Sequence, residues 1–204
     1  MSSDQLKQPA GMAQHELKVK GSRFIADIQR VVDESEIESA LQVIRKREHN
    51  ATHHCYAWRL GDPEQGSWRV NDDGEPAGTA GKPILQMLDG AHLTNVLAVV
   101  TRYFGGTKLG KGGLIHAYGD VTKETLPLLR TRSFTPKATL TCTVSFEHSK
   151  LVYRLIEKYG ATLLDQDYGN EVTLTFALRS HEADPFSWEL YEASNGTIRC
   201  QTLD

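Results

Sequence analysis

The run LTNVLAVVTRYF, from Leu93 to Phe104, is the most apolar segment of the chain. It is short and rich in β-branched side chains, so it predicts a strand buried on both faces, which requires cover above and below. It feeds directly into a glycine-rich loop, GGTKLGKGG, from Gly105 to Gly113. Beyond the loop, Leu114, Tyr118, Val121, Thr125 and Leu128 recur at about helical spacing, and Pro127 is expected to kink or end that helix.

The segments before this run alternate between the two periods. SRFIADIQRV reads as a half-buried strand, with Phe24, Ala26 and Ile28 on one face. Asp33 and Ser35, each followed three residues later by Glu, form overlapping capping boxes that open a helix to about His49. ATHHCYAWRL and SWRV read as strands joined by a GDPEQG turn. NDDGEPAGTAGKP follows as a long loop, then a short helix with Pro83 in its first turn.

TRSFTPK reads as a linker, because the pattern then restarts as a complete unit. ATLTCTVSF is a strand, Ser149 to Tyr159 a helix stopped by Gly160, and ATLLDQDYG and NEVTLTFAL a strand pair about Gly169-Asn170. Asp184 and Pro185 open a second helix ending at Asn195-Gly196, and TIRCQTL closes as a strand. The order βαββαβ is that of a ferredoxin-like sandwich. The expectation is an α+β protein of two domains, residues 1–135 and 136–204.

Residues 1–135 carry 17 Lys/Arg against 16 Asp/Glu, and residues 136–204 carry 6 against 10. The basic excess is local. Arg102, Lys108, Lys111, Lys123, Arg130 and Arg132 face only Asp120 and Glu124 in the stretch 102–132, so an anionic partner is steered to the glycine loop. Three cysteines without C-x-x-C spacing suggest neither a disulfide framework nor structural zinc. No window approaches the roughly 18 apolar residues of a membrane span, and the start has no apolar signal core, so the chain reads as cytoplasmic.

From Gly105 the loop runs G-G-T-K-L-G-K-G, one residue from the phosphate-cradling pattern of nucleotide hydrolases. The position that needs a magnesium-binding hydroxyl is Gly112. The loop retains backbone donors and two lysines at a helix start, which suits an anion without hydrolysis. Arg102, Tyr103, Phe104, Gly105, Gly106, Lys108, Gly110, Lys111, Gly112 and Gly113 are the expected anion or nucleic-acid contacts, because rings stack on bases and cations track phosphates. A tight structural turn is the competing reading. A second loop, with Asp72, Asp73, Gly74, Glu75, Pro76, Gly78, Thr79, Gly81 and Lys82, is expected to face the first. Asp72, Asp73 and Glu75 fit either a self-bonded turn or, less directly, a Mg²⁺ site. On a strand His53 and Cys55 share a face while His54 turns away, so only two metal ligands converge there.

NDDGEPAGTAGKPIL followed by VVTRYFGGTKLGKGGLIHAYG resembles the signature of the YigZ/IMPACT family. The resemblance implies an amino-terminal domain similar to domain 2 of ribosomal protein S5. It further implies a ferredoxin-like carboxy-terminal domain similar to domain V of elongation factor G. Both likenesses point toward RNA or the ribosome, and the family provides no catalytic residues to transfer. Two functions are therefore in view. One is a non-enzymatic protein that binds RNA or a ribosome-associated complex and modulates translation, with no resident cofactor. The other is an enzyme or binding protein for a phosphorylated or nucleotide-like small molecule, with Mg²⁺ on the acidic loop. A protein-docking adaptor is a third class.

Overall fold

A computed structural model describes residues 6–63 and 66–203. These residues divide between Phe134 and Thr135 into two compact units. Among them, no helix is long and apolar enough to cross a membrane.

The first unit contains β1 (Lys7–Pro9), β2 (Met12–Val19), β3 (Ser22–Arg30), α1 (Glu34–Arg47), β4 (His53–Leu60) and β5 (Ser67–Asn71), followed by α2 (Gly81–Gly90), β6 (Val96–Tyr103), α3 (Gly110–Thr125) and β7 (Thr131–Ser133). Five strands form one sheet in the order β2-β3-β6-β4-β5, every neighbouring pair antiparallel. The run that dominates the sequence is the central strand, β6, and every residue from Val96 to Arg102 is buried. Its alternation divides the core. Val96, Ala98 and Val100 pack with α2 and α3 residues such as Ile84, Leu88 and Tyr118, whereas Leu97 and Val99 pack against Ile37, Leu41 and Ile44 of α1.

Local chemistry explains the ends of these elements. The Asp33 carboxylate accepts from the Glu36 N–H at 2.8 Å and caps α1, while Glu36 reaches back to the Val32 N–H at 3.0 Å. Pro127 acts as expected: α3 stops at Thr125 and continues only as a 3-10 turn over Leu126–Leu128. β3 is half-buried as expected, with Phe24, Ala26 and Ile28 fully enclosed and Arg23, Asp27 and Gln29 on the partly open face, where Ile25 alone is buried. Two expectations need correction. β2 has no counterpart among the expected elements. Part of the TRSFTPK segment is β7, which pairs with β1 inside this unit. The GDPEQG turn includes two residues outside the described set.

The second unit runs β8 (Lys137–Val144), α4 (Phe146–Lys158), β9 (Thr162–Tyr168), β10 (Val172–Arg179), α5 (Ala183–Ala193) and β11 (Gln201–Leu203). Its antiparallel sheet has the order β11-β8-β10-β9, which is the ferredoxin-like arrangement expected from the βαββαβ pattern. Leu140, Cys142 and Val144 alternate into a core shared with Phe176, Phe186 and Leu190. α4 begins a turn earlier than its amphipathic stretch suggests, and α5 begins at Ala183, after a 3-10 turn, without a side-chain cap.

Candidate functional site

The acidic loop reaches the core side of the first unit's sheet through Glu75, which meets Arg102 near the end of β6, just before the glycine loop. β6 continues its alternation one step past Val100, and this puts Arg102 inside the core with only 5% of its surface exposed. The guanidinium donates through Nη1 to Glu75 Oε1 at 2.5 Å, and the same oxygen accepts from the Tyr118 hydroxyl at 2.8 Å. The Cys55 thiol lies 3.3 Å from that hydroxyl and 3.0 Å from the Asp72 carbonyl. Residues of β4, β6, α3 and the acidic loop are thereby tied into one buried polar cluster. Burial pushes the Tyr118 phenol and the Cys55 thiol up, and the neighbouring Glu75 charge adds to both. Both groups are protonated across the physiological range.

The three loop carboxylates do not gather. Asp72 accepts from the backbone N–H groups of Gly78, Ala80 and Gly81 at 2.7, 3.0 and 2.8 Å, filling the amino end of α2 from outside the helix. Asp73 accepts from the His54 N–H at 2.6 Å, and its own carbonyl lies 2.7 Å from His53 Nδ1. Glu75 turns inward to Arg102. The Mg²⁺ arrangement of Asp72, Asp73 and Glu75 is corrected on this geometry, and no group of three metal-ligating side chains gathers among the described residues. Burial raises the Asp72 carboxyl, but the three N–H donors outweigh it and hold the group below the usual carboxylate range. A depressed carboxyl stabilises the fold fully above its unfolded value of about 4 and loses that contribution as pH falls through the lower native value. Asp72→Asn is expected to lower stability near neutrality and to flatten this acid limb, measured as urea midpoints across pH. Parallel acid limbs would refute the assignment.

The first loop is built differently. Gly105 packs backbone against backbone on Gly21, and its N–H donates to Ser22 Oγ at 3.1 Å. The Phe104 N–H donates to Thr52 Oγ1 at 3.1 Å. Gly106 and Gly110 have φ of 84° and 73°, a backbone conformation that side chains disfavour. Lys108 and Lys111 are exposed and enter no ion pair among the described residues. The amino end of α3 has no side-chain cap and no acidic residue in its first turn. Gly112 and Gly113 lie in that first turn, with open space around the Gly112 Cα.

The expected contacts therefore separate into groups. Gly105, Gly106, Lys108, Gly110, Lys111, Gly112 and Gly113 share one surface, with the 48% exposed Phe104 ring at its border. Arg102 is corrected from a solvent-facing cation to a buried partner of Glu75, its guanidinium 5.5 Å behind the Phe104 ring. Tyr103 turns to the opposite, α1 face, where its hydroxyl donates to Glu48 at 2.8 Å and Arg23 covers its ring. In the second loop Gly74, Pro76 and Lys82 are exposed, Gly78 is part-buried, and Thr79 and Gly81 are buried. Tyr118, Cys55 and Ser22, which complete the cluster, carry no local motif. Tyr118 is legible in the sequence only as a helical core position.

Two domain families match the chain, the Impact N-terminal domain over residues 20–126 and a domain of unknown function, DUF1949, over 142–197. An IMPACT family member of Haemophilus influenzae is 34% identical over 197 residues, covering 96% of each chain. The IMPACT family member YigZ of Escherichia coli is 33% identical over 188 residues, 92% of each chain. The crystal structure of a hypothetical protein, 32% identical, matches with a TM-score of 0.68 over 98% of both chains. The glycine-loop signature lies inside the first matched domain, and the relatives extend across both units. On sequence and architecture together, the chain belongs to the IMPACT family.

Proposed function

We propose that the protein binds RNA or a ribosome-associated complex through the loop Gly105–Gly113 and modulates translation. The observation that carries this reading is the contrast between two helix amino ends. Asp72 neutralises that of α2, whereas that of α3 is exposed, uncapped and flanked by Lys108 and Lys111. Unsatisfied N–H groups and a partial positive charge at such an end favour phosphate oxygens. Phe104, held from behind by Arg102, adds a ring on which a base can stack. The translation apparatus is the favoured setting because the family's two folds resemble domains of a ribosomal protein and an elongation factor.

Replacing Lys108 and Lys111 together by alanine is expected to weaken RNA binding and to reduce its salt dependence by about 0.7–0.9 units of log–log slope for each phosphate that the protein ceases to neutralise. Filter-binding isotherms over a range of salt concentrations measure both quantities. Unchanged affinity and slope would remove the loop from the interface. A phosphorylated small molecule is the competing occupant, since the same donors suit a single phosphate. Saturable thermal stabilisation by a mononucleotide, with no RNA binding, would select it.

A further inference from the structure

Two cysteines far apart in sequence meet in the second unit. β11 and β8 run antiparallel with Gln201 opposite Thr141 and Thr202 opposite Leu140, and the same register continued by one residue sets Cys200 opposite Cys142. Cys142 points into the core, and Cys200 packs against that same core. Directly opposed residues of an antiparallel pair hold their Cβ atoms about 4.5–5.5 Å apart, a small adjustment from the roughly 3.8 Å of a disulfide.

The two thiols are not equivalent. Cys142 is 3% exposed, while Cys200 is part-buried. A hydrogen bond from Cys142, helped by the Ser187 hydroxyl, holds the Cys200 thiol below its ordinary value against the effect of burial. The bond to Cys200, and then burial, push Cys142 up. The less buried of two neighbouring thiols, with enhanced thiolate character, is the one that oxidises first, and a second cysteine beside it makes the oxidation reversible. Cys55 differs on both counts, being fully enclosed and raised by burial.

We propose that Cys200 and Cys142 form a thiol redox pair in which Cys200 reacts with a hydroperoxide and Cys142 resolves the product. The Cys200 thiolate attacks a peroxide oxygen, the O–O bond breaks, and an S–O bond forms. The departing hydroxide takes a proton to become water. Cys142 sulfur then displaces the sulfenic hydroxyl, forming S–S and breaking S–O, and its thiol proton leaves with that hydroxide as a second water. Two thiols are oxidised by two electrons, and one hydrogen peroxide is reduced by two. A dithiol reductant reverses the cross-link, which while present pins the three-residue strand β11 to β8.

The test treats the reduced full-length protein with stoichiometric hydrogen peroxide and maps its peptides without reductant. One linked pair, Cys142 to Cys200, is expected, with Cys55 still free and Cys200 labelling at least about tenfold faster than Cys55 with a thiol reagent. In Cys142→Ser protein, dimedone is expected to trap a sulfenic acid at Cys200. Oxidation of Cys55 ahead of Cys200, or a Cys200 adduct in the unsubstituted protein without the link to Cys142, would overturn the proposal. The map on the unsubstituted protein decides the matter even where Cys142→Ser disturbs packing.

Discussion

Replacing Arg102 by alanine is expected to lower the stability of the first unit by about 3–5 kcal/mol, the range for removing one partner of a buried ion pair. The loss comes from what remains rather than from what is removed. Glu75 keeps 4% of its side-chain surface exposed, and without the guanidinium its charge stays in the core with the Tyr118 hydroxyl at 2.8 Å and His53 Nε2 at 3.9 Å. Either a proton must be taken up or the acidic loop must turn outward, which would also release the Cys55 and Tyr118 contacts. The Ser22 hydroxyl, 3.4 Å from Nη2 of Arg102, loses a donor as well.

Urea unfolding gives the magnitude, and hydrogen exchange at β6 assigns the transition to this unit rather than to the second. Glu75→Ala should cost a similar amount, by stranding the guanidinium. The double variant should cost clearly less than the two single effects combined, because neither charge is then unpaired. Additive losses would mean that the pair is not coupled.

The burial of Arg102 also marks how far the sequence can be read. β6 is legible because a short β-branched run has few alternatives to a central strand, and the second unit is legible because its periods change cleanly at glycine and capping residues. The same alternation carries information about the site: with Val96, Ala98 and Val100 facing α2 and α3, Arg102 has to face them too, and Tyr103 has to face α1. Reading Arg102, Tyr103 and Phe104 as one patch overlooks that adjacent strand residues point to opposite faces. β2 escapes notice because an edge strand with Gln14, Glu16 and Lys18 on its outer face lacks a strong apolar period. The cluster itself is beyond local reading. Its hydrogen bonds span 17 to 80 residues of chain, and no spacing rule links Cys55 to Tyr118 or Arg102 to Ser22.

Gly105→Ala is expected to cost about 3 kcal/mol, the upper end of what over-packing exacts, whereas Gly112→Ala should be neutral or stabilising by about 0.5–1 kcal/mol. Both residues belong to the glycine pattern that resembles a phosphate loop, yet they are glycine for different reasons. A Cβ on Gly105 would overlap the backbone of Gly21 and Ser22, where two chain segments are in contact and no flexible side chain can give way. Gly21 has φ of 84°, and a Cβ there would sit 2.9 Å from the Gly105 carbonyl oxygen, so the strain cannot be relieved from that side. Relief requires the β2–β3 turn and the loop to part, breaking the Gly105 to Ser22 hydrogen bond and moving the lysines. At Gly112 a Cβ would meet no atom within 4 Å, and the residue already lies in helix α3. Thermal unfolding separates the two variants. RNA-binding isotherms add a second readout, since Gly105→Ala should reduce affinity by displacing Lys108 and Lys111 while Gly112→Ala leaves both in place. Equal stability of the two variants would mean that the Gly21–Gly105 approach is not a constraint on the loop.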